Sequence, residues 1–164
     1  MIWEEFKKAA PELARLGETR FAASGMILLG TLRKNGFPRI TPVEAFIVDG
    51  HLYLGMIWQS RKALDLLRDP RCTIHNTISK KDGTEGEFKL YGRAIAITDL
   101  AMRKRYCDTL FELIGWKPDE PEFHLFSIDI ESAAFNIVED EAVVARRWTP
   151  ESGLQIVRSW RASQ

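Results

Sequence analysis

Neither sign of charge is in excess: 23 Lys plus Arg stand against 23 Asp plus Glu, a formal net charge of zero. Without surplus positive charge the chain has no global attraction to nucleic acid or to an anionic membrane, and neither is expected as a partner. Long apolar runs are missing too, none reaching the roughly 18 residues of a membrane helix. The start, Met1-Ile2-Trp3-Glu4-Glu5, is acidic and amphipathic, unlike the basic start and apolar centre of a signal peptide. Cysteine is scarce. Cys72 and Cys107 form no metal-type or redox-type pair, and both fall in apolar patterns that suit buried free thiols, so the expected location is cytoplasmic. His51, His75 and His124 lack metal-ligand spacing, and no metal is expected. Ser-His-Asp, Cys-His and paired-carboxylate sets are absent as well, which leaves no catalytic residue to name.

What is present is an ordinary globular composition, 45% hydrophobic and 28% charged, in 164 residues. That is one domain, residues 1–164, with no internal repeat or linker. Residues 1–24 read as a helical segment broken near Pro11, which can open a second helix because the N–H it lacks has no helical partner there. From Met26 the period becomes that of strands. Met26 to Arg33 ends at Asn35-Gly36, Arg39 to Val48 ends at Asp49-Gly50, and His51 to Met56 follows, an expected three-stranded meander with two tight turns. A short helix over Ser60 to Arg68, with Ala63, Leu64 and Leu67 as its buried stripe, stops at Asp69-Pro70. Strands over Arg71 to Ser79 and Glu87 to Thr98 follow. Thr98 or Asp99 then caps a helix ending at Ile114-Gly115. The tail gives Phe123 to Ile130, Ala134 to Val138, Val143 to Trp148 and Leu154 to Trp160 as strands. The expected fold is mainly β with flanking helices, closed into an antiparallel barrel because closure removes exposed edges.

The chemistry lies in Ser60-Arg61-Lys62. Ser60 is a good N-cap, yet two cations occupy the first turn, where the helix dipole makes each unfavourable by about 0.3–1 kcal/mol. An anion resolves the conflict, since free N–H groups, a hydroxyl and two cations then converge on one point. A helix end whose basic side chains simply reach into water is the plainer alternative. Gly55 ends the preceding strand, where a backbone can approach a flat ligand. Arg39 adds a third cation on the neighbouring strand, and Pro42 marks that strand as an edge or an irregular one.

With Arg39-Ile40-Thr41-Pro42-Val43, Ser60-Arg61-Lys62 and Asp69-Pro70-Arg71 in this order, the stretch from Pro38 to Arg71 resembles the FMN-binding core of the pyridoxamine 5′-phosphate oxidase-like split barrels. The resemblance implies a Greek-key split barrel and a homodimer with FMN at its interface. It also implies that Arg61 and Lys62 hold the phosphate with Ser60 assisting and Arg39 nearby, while Thr41, Pro42, Val43 and Met56 line the ring. Where the oxidase's Arg-led strand ends in Lys, this chain has Glu44. The oxidase's C-terminal Trp/Arg signature is not found around Trp148 or Trp160 either, so the likeness is to the general-stress and uncharacterised branch. The implied function is flavin-dependent oxidation or reduction of a small molecule, with a nicotinamide or other small electron donor. A deazaflavin coenzyme, or a non-catalytic flavin- or haem-binding stress protein with His75 as a haem ligand, are the alternatives. By the same analogy the strand after the acidic loop 82–87 reaches the partner's flavin, making Glu87 and Lys89 candidates for supporting contacts.

Overall fold

The computed structural model describes residues 1–119 and 121–160, where the following elements are found. Helices α1 (Trp3–Ala9) and α2 (Pro11–Ser24) meet at Ala10, with Pro11 opening the second. Strands β1 (Met26–Leu32), β2 (Pro38–Glu44), β3 (Phe46–Val48) and β4 (His51–Ile57) lead into α3 (Arg61–Arg68). Then come β5 (Arg71–Asn76), β6 (Glu87–Ala96), α4 (Leu100–Ile114), β7 (Phe123–Glu139), β8 (Ala142–Thr149) and β9 (Gly153–Trp160). All pairings are antiparallel, in the order β2-β1-β5-β6-β7-β4-β3, with β8 and β9 extending from β7.

The expected closed barrel and the three-stranded meander are both corrected at one place. Arg39 to Val48 is two strands broken at Ala45, and they lie at opposite ends of the sheet order: β2 pairs with β1, β3 with β4. The ladder therefore stays open between them, bridged only by the chain. Pro42 explains part of this. Its carbonyl points away from β1, where it accepts from Lys62, so its nitrogen lies on the open side, where a missing N–H costs the ladder nothing.

In the tail, Phe123 to Val138 is one strand instead of two. A β-bulge absorbs the polar Glu131-Ser132 step, the register passing from Tyr91↔Ser132 to Gly92↔Ile130. Only glycine fits there: a Cβ at Gly92 would stand 2.2 Å from the Asp129 carbonyl oxygen.

One core joins the first two helices to the sheet through a chain of edge-on rings. Trp3–Phe6, Phe6–Trp148 and Phe21–Phe88 have centroids 5.4, 5.1 and 5.4 Å apart. A second cluster under α4 gathers Val48, Tyr53, Tyr106, Cys107, Leu110, Phe123 and Leu125. Both α4 caps are those expected. Asp99 accepts from the Met102 N–H, and Gly115 ends the helix at φ 70°. Cys72 and Cys107 are both buried, and burial pushes the Cys72 thiol up to about 12.

Candidate anion-binding site at the start of the third helix

The turn from β4 into α3 is tightly specified. The Ser60 N–H donates to the Ile57 carbonyl at 3.1 Å, and Gln59 takes a left-handed φ of 56°. The Gln59 N–H donates to His124 Nε2 at 3.2 Å, and the Trp58 indole stacks on the same imidazole with centroids 4.4 Å apart. Burial, with a contribution from Arg103, lowers the His124 pKa, keeping that nitrogen an acceptor.

Ser60 has N-cap backbone geometry, and its carbonyl accepts from the Leu64 N–H at 3.0 Å. Its side chain caps nothing: Ser60 Oγ is buried with no partner among the described residues. Thr41 Oγ1, on β2, is in the same condition. Lys62 links these elements, Nζ donating to the Pro42 carbonyl at 3.3 Å. It has no acidic partner among the described residues, and burial lowers its pKa. Arg61 is exposed and likewise without an ion pair among the described residues.

Arg39 is placed differently. Its Nε donates to Asp65 Oδ2 at 2.7 Å, on a carboxylate that also accepts from Thr31 Oγ1 and from Arg68, both at 3.2 Å. Burial raises the Asp65 pKa, but the bonds from Arg39, Arg68 and Thr31 outweigh it and hold the carboxyl below its ordinary range. Asp65 is therefore the acid that orders this cluster, and it was not singled out in the sequence. The available signal was its position in a short helix, three residues before Arg68, with Arg39 on the preceding strand. The stripe of α3 is corrected accordingly: Ala63, Asp65 and Leu66 are buried, Leu67 is half exposed. An open cleft of about 640 Å³ runs beside the cluster, lined by Arg33, Lys34, Arg39, Arg61 and Arg68 against the single carboxylate of Asp65.

The structure thus joins Pro42 and Lys62 at one place, next to Arg61 and Ser60 in sequence. Val43 and Met56 turn their side chains into the core instead, each 3% exposed, with Met56 also lining a cavity beyond it. Gly55 is not an open approach for a flat ligand. It lies within β4, and a Cβ there would stand 2.5 Å from the Tyr106 hydroxyl. Arg71 forms an exposed bidentate pair with Asp69, at 2.9 and 2.6 Å, so the Asp69-Pro70-Arg71 step closes on itself. The loop before β6 is more than a solvated turn, since Glu85 accepts from the N–H groups of Ser79 and Lys80 and pairs with Arg20. Glu87 and Lys89 pair with each other at 2.9 Å, and His75 Nδ1 contacts the Asn76 carbonyl.

An open antiparallel sheet wrapped by helices, with a cationic helix start beside its unpaired edge, is the split-barrel class. Comparison with solved structures gives that class a name. The fold matches a pyridoxamine 5′-phosphate oxidase-related, FMN-binding protein of Nostoc punctiforme at TM-score 0.63 and 16% identity, covering 92% of this chain and 96% of that one. It matches general stress protein 26 of Bacillus anthracis at TM-score 0.58 and 18% identity, over 74% and 91% of the two chains. A haem-binding protein of Mycobacterium smegmatis matches at TM-score 0.55 and 14% identity, over 90% and 88%. No family model and no curated protein matches the sequence. The chain has the split-barrel fold that these solved structures share.

Proposed function

We propose that the chain binds FMN, with Ser60, Arg61 and Lys62 holding the phosphate, and acts as a flavin-dependent oxidoreductase on a small molecule. The observation that carries this reading is the pair of orphaned hydroxyls, Ser60 Oγ and Thr41 Oγ1, beside a half-buried lysine that faces no acid among the described residues. Leaving a buried polar atom unpaired costs about 1–3 kcal/mol, and a dianion with several acceptor oxygens removes the conflict. The residues fit a phosphate. Two cations and two hydroxyls supply donors, the first free N–H groups of α3 supply more, and the five-cation cleft favours an anion approaching from solvent. Arg39 contributes field more than contact, its Nε being held by Asp65.

When bound, FMN supplies hydride or electron transfer. The chain's own part is to bind and orient it: Lys62 fixes α3 to the Pro42 carbonyl, and the His124–Gln59 bond fixes the turn that carries Ser60. Homodimerisation belongs to the same proposal. Phe37 and Ile40 on the first hairpin and Ile57 and Trp58 before α3 are half or more exposed around the site, and a neutral chain does not repel its copy. A reducing cytoplasm suits the two buried cysteines.

A phosphate cradle reads only the phosphate, so a deazaflavin coenzyme or a non-catalytic flavin binder would use the same residues. The visible spectrum of the purified protein, followed by anaerobic addition of NADH or NADPH, separates these. Flavin bands that bleach support the oxidoreductase, bands that do not bleach favour the binder, and failure of added FMN to bind removes the proposal. Sedimentation at micromolar concentration tests the dimer, with a monomer counting against it.

A further inference from the structure

Lys62 differs in kind from the lysines on the outer helices. Lys8 pairs with Glu4 and Lys104 with Asp108, and their side chains are 74% and 76% exposed. Both are ordinary solvated ammonium groups. Lys62 has no acidic partner among the described residues, and its Nζ donates to the Pro42 carbonyl at 3.3 Å. Burial lowers its pKa. More of Lys62 is therefore neutral amine near pH 8 than of Lys8 or Lys104, and the neutral amine is the nucleophile.

Groups suited to a phosphate stand beside that amine. Thr41 directly precedes Pro42, and its buried hydroxyl has no partner among the described residues. Ser60 carries the second such hydroxyl and begins the turn on which Lys62 sits. The N–H groups of Arg61, Lys62 and Ala63 have no acceptor within the helix. A nucleophile and a phosphate-binding end thus share one turn. Holding a phosphate needs only the charge of Lys62, and an amine that loses its proton easily serves that role poorly. Nucleophilic attack is the chemistry that such an amine favours.

We infer that Lys62 is a modification site acylated by small acyl phosphates, and that its acylation weakens the anion site. The phosphate end docks on Ser60, Thr41, Arg61 and the first N–H groups of α3, which holds the carbonyl carbon next to Nζ. The amine attacks that carbon, a C–N bond forms, and the C–O bond to the phosphate breaks. The proton given up by the nitrogen leaves with the phosphate. Amine and acyl phosphate become amide and hydrogen phosphate, with no oxidant or further reactant. Arg61 and the helix N–H groups stabilise the charge on the departing phosphate. The amide keeps one N–H for the Pro42 carbonyl but loses the positive charge. FMN should then bind the acylated chain about ten- to a hundredfold more weakly. This site rests on the phosphate cradle proposed above, whether or not flavin is what that cradle holds.

The whole chain, dialysed free of small anions, is treated with acetyl phosphate near pH 8, and each lysine is followed by peptide mass spectrometry. Lys62 is expected to acetylate at least about tenfold faster than Lys8 or Lys104, with a rate that saturates in reagent. Inorganic phosphate at about 10 mM should slow Lys62 and leave the other two unchanged. Acetic anhydride acylates amines without a phosphate, so with it the preference should shrink to what the lowered pKa alone allows. Ser60→Ala should slow Lys62 several-fold toward acetyl phosphate and leave its rate with acetic anhydride unchanged. Circular dichroism establishes that the variant folds, and Arg61→Ala, at an exposed position, stands in for it otherwise. A preference below tenfold, no protection by phosphate, or the same preference with acetic anhydride overturns the inference. Fluorescence titration with FMN separates the two readings. Selective acetylation in a chain that does not bind FMN removes the flavin and keeps this site, whereas FMN binding with unselective acetylation removes this site alone.

Discussion

Helix α3 carries cations at both ends, and the two ends treat them differently. At its last turn Arg68, together with Arg39 from β2, converges on the buried Asp65, and the Thr31 hydroxyl completes the shell. At its first turn, among the described residues, Lys62 reaches only a backbone carbonyl, Arg61 faces solvent, and the hydroxyls of Ser60 and Thr41 are buried without partners. The C-terminal half is internally complete, and its charge serves the fold. The N-terminal half breaks the rules of helix capping and polar satisfaction, which is what a site built for something outside the chain is expected to do.

The largest effect should come from the incomplete end. Arg61→Ala combined with Lys62→Ala removes two charge-assisted contacts of about 1.5–3 kcal/mol each, so FMN should bind about two to four powers of ten more weakly. The melting temperature should fall by no more than a few degrees, because Arg61 is exposed and Lys62 gives up one hydrogen bond, to the Pro42 carbonyl. FMN fluorescence titration measures the first and calorimetry the second. Unchanged affinity would move the phosphate away from α3 and break the contrast between its ends.

The complete end should answer in stability instead. Asp65→Ala leaves Arg39 and Arg68 without their carboxylate, and losing one partner of a buried pair is worth several kcal/mol. Arg68 is about one-third exposed and Arg39 about a quarter, so solvent screening reduces the expected loss to about 2–4 kcal/mol. Urea unfolding checks this. A loss no larger than that of an ordinary surface substitution would mean that Asp65 does not organise the helix.

The two ends also divide the pH range. Asp65 has a folded pKa below 3.8, so its contribution is fully present above that value and is lost as pH falls through the folded pKa. Wild type should show this acid limb and the Asp65→Ala variant should lack that part of it. Glu85 and Asp69, each held near 2 by hydrogen bonds, add acid limbs common to both proteins. Lys62 works in the opposite direction, its folded pKa lying below 10.5. As pH rises through that depressed value the site loses a cation and FMN affinity should fall, which titrations between about pH 7 and pH 10 would follow.

Much of this was legible in the residues, and what was not has physical reasons. The caps of α4, the Asn35-Gly36 turn and the opening of α2 at Pro11 are local devices, and local rules found them. The misplaced cations at Arg61 and Lys62 were visible for the same reason. The break at Ala45 was invisible because an alternating pattern runs through it, and only the partners of β2 and β3, at opposite ends of the sheet order, reveal two strands. Glu131-Ser132 looked like a strand end because a bulge depends on the neighbouring strand, here at Gly92. The apolar stripe of α3 missed Asp65 because a carboxylate reads as solvated until three donors are brought to it from β1, β2 and α3. Orphaned hydroxyls are the extreme case, since having no partner is a property of the surroundings alone.

Those hydroxyls give the smallest effect and the sharpest sign. If Ser60 were an ordinary N-cap, Ser60→Ala would cost about 0.5–2 kcal/mol of stability. Its Oγ caps nothing and is buried unpaired, so removing it relieves a desolvation cost of about 1–3 kcal/mol and opens a gap of only one oxygen. The free variant should therefore melt no lower than wild type and as much as a few degrees higher, taking about 2–4 °C per kcal/mol for a chain of this size. Thr41→Val, which replaces a hydroxyl by a methyl of similar volume, should behave the same way. Both should bind FMN about five- to thirtyfold more weakly, the equivalent of one lost hydrogen bond of about 1–2 kcal/mol. Higher stability with weaker binding is the signature of a polar group kept for a ligand. A variant that melts lower and binds FMN unchanged would make Ser60 a structural cap and take the orphaned hydroxyls out of the argument for a phosphate site.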